Sequence, residues 1–241
     1  MSARVVLVGL GGIGHPCALA LAQCADISLV FLDDDRVERS NLHRLPAFAE
    51  QHIGRYKAEA LCEVLAPSAK AGLSVATERL TPETAAAAIA GASVVVEGSD
   101  NFATKFLVAD ACALAAVPSV HGAAIAWTGT ALSVRPKQSA CYRCLFEDLP
   151  EGESLDCSSA GIFAPVTALV GALMAQATRD LLAHKPSLAG TITRFDARDG
   201  SFRRHVVRRR HDCALCGDMP SILSIDRARY LAPTCAMGAS P

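Results

Sequence analysis

The sequence predicts an α/β fold, a Rossmann-like and mostly parallel sheet with an antiparallel C-terminal extension. Three observations carry this. Short apolar runs without polar alternation, Val5–Val8, Ile27–Leu32 and Ser93–Val96, are separated by Ala-rich helical stretches, the pattern of parallel strands covered on both faces. The first run opens into Gly9-Leu10-Gly11-Gly12-Ile13-Gly14, a glycine loop between strand and helix. Two Cys-x-x-Cys pairs stand in the second half, and they add a structural zinc site to the expected architecture.

The elements follow in order. Helices are expected at Pro16–Cys24, Arg55–Leu65, Pro82–Ala90 and Phe102–Ala116, with a strand at Pro118–His121. After Gly122 the character changes. Gly129–Val134 reads as extended, Glu147–Ser158 as an acidic loop, and Ala160–His184 as a long apolar helix. Thr191–Asp196 and Ser201–Arg208 form a hairpin around Asp199-Gly200. The 160–177 stretch is just long enough to span a bilayer, but Pro165, Thr167 and Gln176 and the lack of flanking basic belts favour a buried helix. One domain over 1–241 is expected: an α/β part (1–122), a part that holds both Cys-x-x-Cys pairs (123–217) and a tail (218–241).

Composition bounds the function. Of 241 residues, 51% are hydrophobic, which excludes a disordered chain. Lys+Arg 23 against Asp+Glu 24 leave a net charge of -1, so a polycation that coats nucleic acid is excluded. Ten cysteines are too sparse for a disulfide scaffold, and their paired spacing points to metal in a reducing compartment, hence the cytoplasm, with no membrane partner.

Gly9, Gly11, Gly12 and Gly14 bare the backbone at a helix N-terminus, where a phosphate can approach. Asp33 lies 19 residues past Gly14 at the end of the second strand, where a carboxylate can accept ribose hydroxyls. The bland alternative is a tight turn without a ligand, and NAD enzymes use the same loop. The segment after the second strand suits a triphosphate better: Asp35, Ser40, Asn41, Arg44 and Lys57 crowd one side of the crevice, where charge builds as pyrophosphate departs. Asp100 and Asn101 close the strand that ends near Val96; one can hold Mg²⁺ and the other can cap the next helix. Cys141, Cys144, Cys213 and Cys216 suit a Cys₄ zinc site whose 68 intervening residues make it a clip rather than a free-standing finger. Cys157 stands alone, with an inert reading slightly ahead on local sequence; Cys17, Cys24, Cys62 and Cys112 read as small core residues.

The ordered set of Val-Gly-Leu-Gly-Gly-Ile-Gly (8–14), Leu-Asp-Asp-Asp (32–35), Ser-Asn-Leu-His-Arg (40–44), Ile-Gly-Arg-Tyr-Lys (53–57), Ser-Asp-Asn (99–101), Cys-Tyr-Arg-Cys-Leu (141–145), Cys-Ser-Ser-Ala-Gly (157–161) and Cys-Ala-Leu-Cys-Gly (213–217) resembles the ThiF/MoeB/HesA proteins, bacterial relatives of ubiquitin-activating enzymes. The resemblance implies an adenylyltransferase that uses ATP and Mg²⁺, with Zn²⁺ as a structural ion, to activate the C-terminal Gly-Gly of a small ubiquitin-like sulfur carrier of the ThiS or MoaD type. It implies phosphate held by Gly9, Gly11, Gly12 and Gly14, ribose by Asp33, phosphates clamped by Asn41, Arg44 and Lys57, and metal on Asp100. Arg44, Lys57, Asp100 and Cys157 are the catalytic candidates, the last because its counterpart in thiamin-pathway members takes part in sulfur transfer. A sulfur donor such as a cysteine desulfurase and a homodimer are also implied.

This chain departs from the pattern in places. Leu45 stands for the usual Gln and Tyr56 for a common Pro. The family's helical segment before the first strand carries an Arg that reaches the partner subunit's site. The first strand here begins at about Arg4, so Arg36, Arg39 or a partner protein is the expected substitute, and no rhodanese-like domain follows the second cysteine pair. Rival readings are adenylation of a peptide or small acid in a specialised pathway, an NAD-dependent oxidoreductase, and a non-catalytic carrier-binding or sulfur-relay module.

Overall fold

A computed structural model describes residues 2–149, 161–185 and 189–230. Its frame is one eight-stranded sheet. The strands are β1 (Ala3–Val8), β2 (Ile27–Leu32), β3 (Gly72–Ala76), β4 (Val94–Glu97), β5 (Ser119–Ile125), β6 (Thr128–Val134), β7 (Thr191–Asp196) and β8 (Ser201–Val206). They lie in the order β3-β2-β1-β4-β5-β6-β7-β8, parallel from β3 to β5 and antiparallel from β5 to β8. The chain runs outward from β1 to β3, returns to β4 beside β1, and so reverses direction between β1 and β4. A crevice opens at such a reversal, beyond the carboxyl ends of the strands.

The central strands are apolar throughout because both faces are covered. Val5, Val6 and Leu7 are fully buried, and alternate residues feed opposite cores. On one face α1 (Gly14–Leu21), α2 (Lys57–Leu65) and the last long helix close over Val5, Leu7, Leu29 and Val120. On the other, α3 (Ala85–Ile89), α4 (Phe102–Leu114) and the short α5 (Tyr142–Leu145) cover Val6, Val95 and Leu132. The long helix, α6 (Ala164–Leu182), packs on α1, β5 and β6. No helix among the described residues is long and apolar enough to cross a membrane.

Element by element, the expectations shift by a few residues. The helix expected from Arg55 starts at Lys57, and that from Pro82 at Ala85. The strand expected at Pro118–His121 runs on to Ile125, because β6 pairs along its whole length. Gly200 turns the β7–β8 hairpin at φ +68°. The sequence reading missed β3: Gly-Leu-Ser-Val-Ala is short, mostly exposed and paired on one side only, so it lacks the apolar run of the central strands.

Candidate active site

The crevice is a cavity of about 1670 Å³ above the carboxyl ends of β1, β2, β4 and β5. Gly9, at φ +82°, turns the chain out of β1, and a Cβ there would lie 2.7 Å from the Ser99 backbone nitrogen. Gly14 starts α1 so close to the strand that a Cβ would meet the Gly9 carbonyl oxygen at 1.9 Å. Only glycine fits either place. Gly11 has open space where a side chain would be, on the cavity side. The helix N-terminus and its unpaired N–H groups therefore face the cavity.

Asp33 has 7% of its surface exposed. It accepts from Leu10 N–H at 2.5 Å and from Asp35 N–H at 2.8 Å, which braces the glycine loop against β2. Burial pushes its carboxyl up, against the pull of Lys57 and the two amides. Asp33 still lines the cavity, and each carboxylate oxygen retains a lone pair for a further donor.

Lys57 begins α2, with 9% of its side chain exposed, and reaches Asp35 at 2.8 Å. The 3₁₀ turn at Arg39–Arg44 brings Ser40, Asn41 and Arg44 to the same wall. Arg44 donates to the Ser40 carbonyl at 3.3 Å, and its Cδ would lie 3.2 Å from a Cβ on Gly12. This places its guanidinium stem over the glycine loop. The structure thus gathers Gly9, Gly11, Gly12, Asp33, Asp35, Ser40, Asn41, Arg44, Lys57, Asp100 and Asn101 around one cavity, with Gly14 behind the loop.

The Asp100–Asn101 pair divides its tasks. Asn101 Oδ1 accepts from Thr104 N–H at 2.8 Å and caps α4. Asp100 is exposed on the cavity and makes no hydrogen bond among the described residues, so its carboxylate fits a hard cation that also binds phosphate oxygens. Asp33, Asp34 and Asp35 also bring carboxylate oxygens within 4.8 Å of one another. There, however, Asp33 serves two amides and Asp35 serves Lys57, so a cation would compete with bonds already made.

Arg36 and Arg39 do not line the cavity. Arg36 stacks on the Tyr56 ring at 3.9 Å and donates to the Gly54 carbonyl, while Arg39 pairs with Glu50. Neither reaches this chain's own cavity. The unusual Tyr56 is thereby explained as the platform for Arg36. Leu45, with 1% exposed, is core.

The four cysteines converge. Sulfur–sulfur distances are 3.8 Å for Cys141–Cys144, 3.5 Å for Cys141–Cys213 and 3.4 Å for Cys144–Cys216. A disulfide needs about 2.05 Å. Tetrahedral zinc with Zn–S of about 2.3 Å places its sulfurs about 3.8 Å apart. Donation from Cys141 lowers the Cys216 thiol, while Cys141 and Cys144 are pushed up by their neighbours and by burial. The site fits zinc and ties the segment after β8 to α5. Cys17 and Cys112 are buried core thiols, pushed up by burial, while Cys24 and Cys62 are half-buried. Cys157 lies outside the described residues.

A charged cluster under the cavity escaped the sequence reading. Glu97, fully buried, pairs with Lys105 at 2.8 Å and accepts from Ser99 N–H at 2.7 Å. Burial alone would raise its carboxyl, but Lys105 and His121 hold it low. Lys105 also donates to the Gly122 carbonyl at 2.6 Å. The available signal was a Glu closing a strand eight residues before a Lys on the next helix.

The sequence profile of the ThiF family matches residues 1–215. The chain belongs to the ThiF family. The SAMP-activating enzyme E1 of Haloferax volcanii is 37% identical over 231 residues, covering 94% of this chain and 85% of that relative. A sulfur carrier protein adenylyltransferase of Thermus thermophilus is 36% identical over 91% of this chain and 84% of its own length. The adenylyltransferase and sulfurtransferase MOCS3 of Culex quinquefasciatus is 34% identical over 92% of this chain, which spans 52% of that longer protein. The fold of this ThiF-family chain also matches the crystal structure of E. coli MccB with MccA-N7isoASN, at a TM-score of 0.78 and 22% identity over 90% of this chain and 67% of that one.

Proposed function

We propose that this ThiF-family chain is an ATP-dependent adenylyltransferase that joins AMP to the C-terminal Gly-Gly carboxylate of a small ubiquitin-like sulfur carrier, releasing pyrophosphate. The observation that supports this most is the gathering of a bare glycine loop, Arg44, Lys57 and an Asp100 unpaired among the described residues around one cavity. The names of the Haloferax and Thermus relatives point to the same substrate class.

The glycine loop and the α1 N-terminus receive phosphate oxygens, and Asp33 receives ribose hydroxyls. Arg44 and Lys57 neutralise charge on the departing pyrophosphate, and the Asn41 amide donates to it. Asp100 would hold Mg²⁺, which would supply positive charge against the phosphates. This reaction needs alignment and charge neutralisation rather than a strong base, and these residues supply both. Zinc in the Cys₄ clip is structural. Its free thiols need a reducing compartment, and we place the protein in the cytoplasm, as a homodimer that draws sulfur from a desulfurase-type donor for thiamin, molybdopterin or related cofactor synthesis.

The test is carrier-dependent ATP–pyrophosphate exchange with a panel of ThiS- and MoaD-type carriers ending in Gly-Gly. Exchange is expected with at least one carrier, and Lys57→Ala should lower it by about 10²–10³-fold, the usual effect of removing one preorganised charge-stabilising donor. No exchange with any carrier, together with no ATP binding, overturns the proposal.

A further inference from the structure

An ammonium group carries three N–H donors and no acceptor. At Lys105, 6% exposed, two of these are committed: one to Glu97 Oε2 at 2.8 Å and one to the Gly122 carbonyl at 2.6 Å. The third has no partner among the described residues, and Lys105 lines the cavity while Glu97 lies behind it. A lysine whose whole task was to neutralise Glu97 would not need to face the cavity. His121 stands 3.8 Å from the same carboxylate, outside hydrogen-bond reach, and spends its Nε2 on Ser119 Oγ at 2.9 Å. His121 also lines the cavity, with Nδ1 unpartnered among the described residues, but that nitrogen lies on the Glu97 side, so Lys105 is the group of this cluster that offers a charged donor to the cavity.

Its place in the sheet says which oxygen it meets. The glycine loop follows β1, and Arg44 and Lys57 come from the segment after β2. Lys105 lies over the groove between β4, which carries Glu97, and β5, which carries Gly122, on the far side of β1 from β2. With strands about 4.8 Å apart, β5 stands about 10 Å from β1. That end of the cavity is walled by Tyr142, whose ring lies 4.9 Å from His121, and by Phe146. This aromatic end lies away from the glycine loop and the cations after β2, which leaves it for the tail of an acceptor.

We propose that Lys105 is a substrate-contacting residue whose third N–H holds the carboxylate that attacks the nucleotide. This rests on the adenylyltransferase reading and deepens it. A carboxylate must approach a triphosphate of like charge, and a fixed ammonium offsets that repulsion in a site already shaped for it. In the step, a carboxylate oxygen forms a bond to the α-phosphorus while the bond from that phosphorus to the bridging oxygen breaks. Pyrophosphate leaves with the electron pair. No proton moves, so Lys105 keeps all three and acts by position and charge alone.

Removing Lys105 alone would strand the buried Glu97 charge, so the informative variant is the charge-neutral Glu97→Gln/Lys105→Met pair. Three readouts are compared with the wild type: thermal stability, ATP affinity by fluorescent-analogue titration, and pyrophosphate exchange against the concentration of a Gly-Gly-tailed carrier. The proposal expects a folded double variant with near-wild-type ATP affinity and exchange about 10²-fold slower, the effect of losing one preorganised donor. Lys105→Arg keeps the charge and the Glu97 pair, and it is expected to shift KM for the carrier while leaving ATP affinity unchanged; that arm decides the matter if the double variant does not fold. Wild-type exchange in these variants overturns the assignment. So does a parallel loss of ATP affinity, which would give Lys105 to the α-phosphate instead. Failure of the wild-type chain to exchange with any carrier overturns the parent reading, which separates the two.

Discussion

His15 shows how one buried side chain sets a pH limit. It is fully buried in α1 against Phe48, its Nε2 accepts from Ala47 N–H at 3.2 Å, and its Nδ1 has no hydrogen-bond partner among the described residues. Burial first, then the nearby charge of Lys57, lowers its pKa from 6.5 to about 4. The neutral ring is the native one, and protonation would break the Ala47 bond. Because the folded value lies below the unfolded one, the stability it contributes is whole above about pH 6.5. It is lost as pH falls toward 4, and the loss is complete below that. One pKa unit corresponds to about 1.4 kcal/mol, so up to roughly 3 kcal/mol is at stake. Urea unfolding from pH 7 to 4 should show this decline, and His15→Gln should flatten it. Equal slopes in both proteins would mean that other groups carry the acid sensitivity. At this scale the sequence was partly legible. Spacing fixed the glycines and Asp33, because strand, loop and helix leave little freedom between them. It could not show that Asp33 braces the loop, that Asn101 rather than Asp100 caps α4, or that Lys105 lines the cavity, since these depend on how the chain packs.

Among the elements, α5 and the segment after β8 have the most to lose. Tyr142 and Arg143 lie between two of the cysteines. Arg143 holds buried Asp110 of α4 through two bonds of 2.7 and 2.9 Å, and Tyr230 reaches the same carboxylate at 2.8 Å. The Cys₄ clip therefore anchors one wall of the cavity as well as the chain end. One zinc per chain is expected by elemental analysis. Its removal by a strong chelator should lower Tm by roughly 10 °C, as expected if the lost cross-link contributes about 3 kcal/mol. Limited proteolysis should then cut near residues 209–217. A chelated protein with unchanged Tm and cleavage pattern would remove zinc from the account. The pairs Cys141/Cys144 and Cys213/Cys216 were readable because two-residue spacing is a local signal. The weak edge strand β3 was not, because its pairing with β2 is set by the sheet rather than by its own pattern.

For the whole molecule, the reversal of strand order between β1 and β4 creates the cavity, and the antiparallel strands β6–β8 extend the sheet beyond β5. The parallel part supplies the bare glycine loop and the cations that follow β2, while β5 and α5 wall the opposite end. This division was visible in the order of motifs, but the joining of both walls into one cavity was not, since it requires β5 to pair with β4 on one side and β6 on the other. The central claim is that this cavity transfers AMP to a carboxylate. The most direct measurement is intact-mass spectrometry of a Gly-Gly-tailed carrier after incubation with the chain, ATP and Mg²⁺, with no sulfur donor present. The account expects a carrier heavier by one AMP less one water, formed only with ATP and reversed by added pyrophosphate. A carrier that binds the chain yet keeps its original mass, with ATP unconsumed, would contradict it.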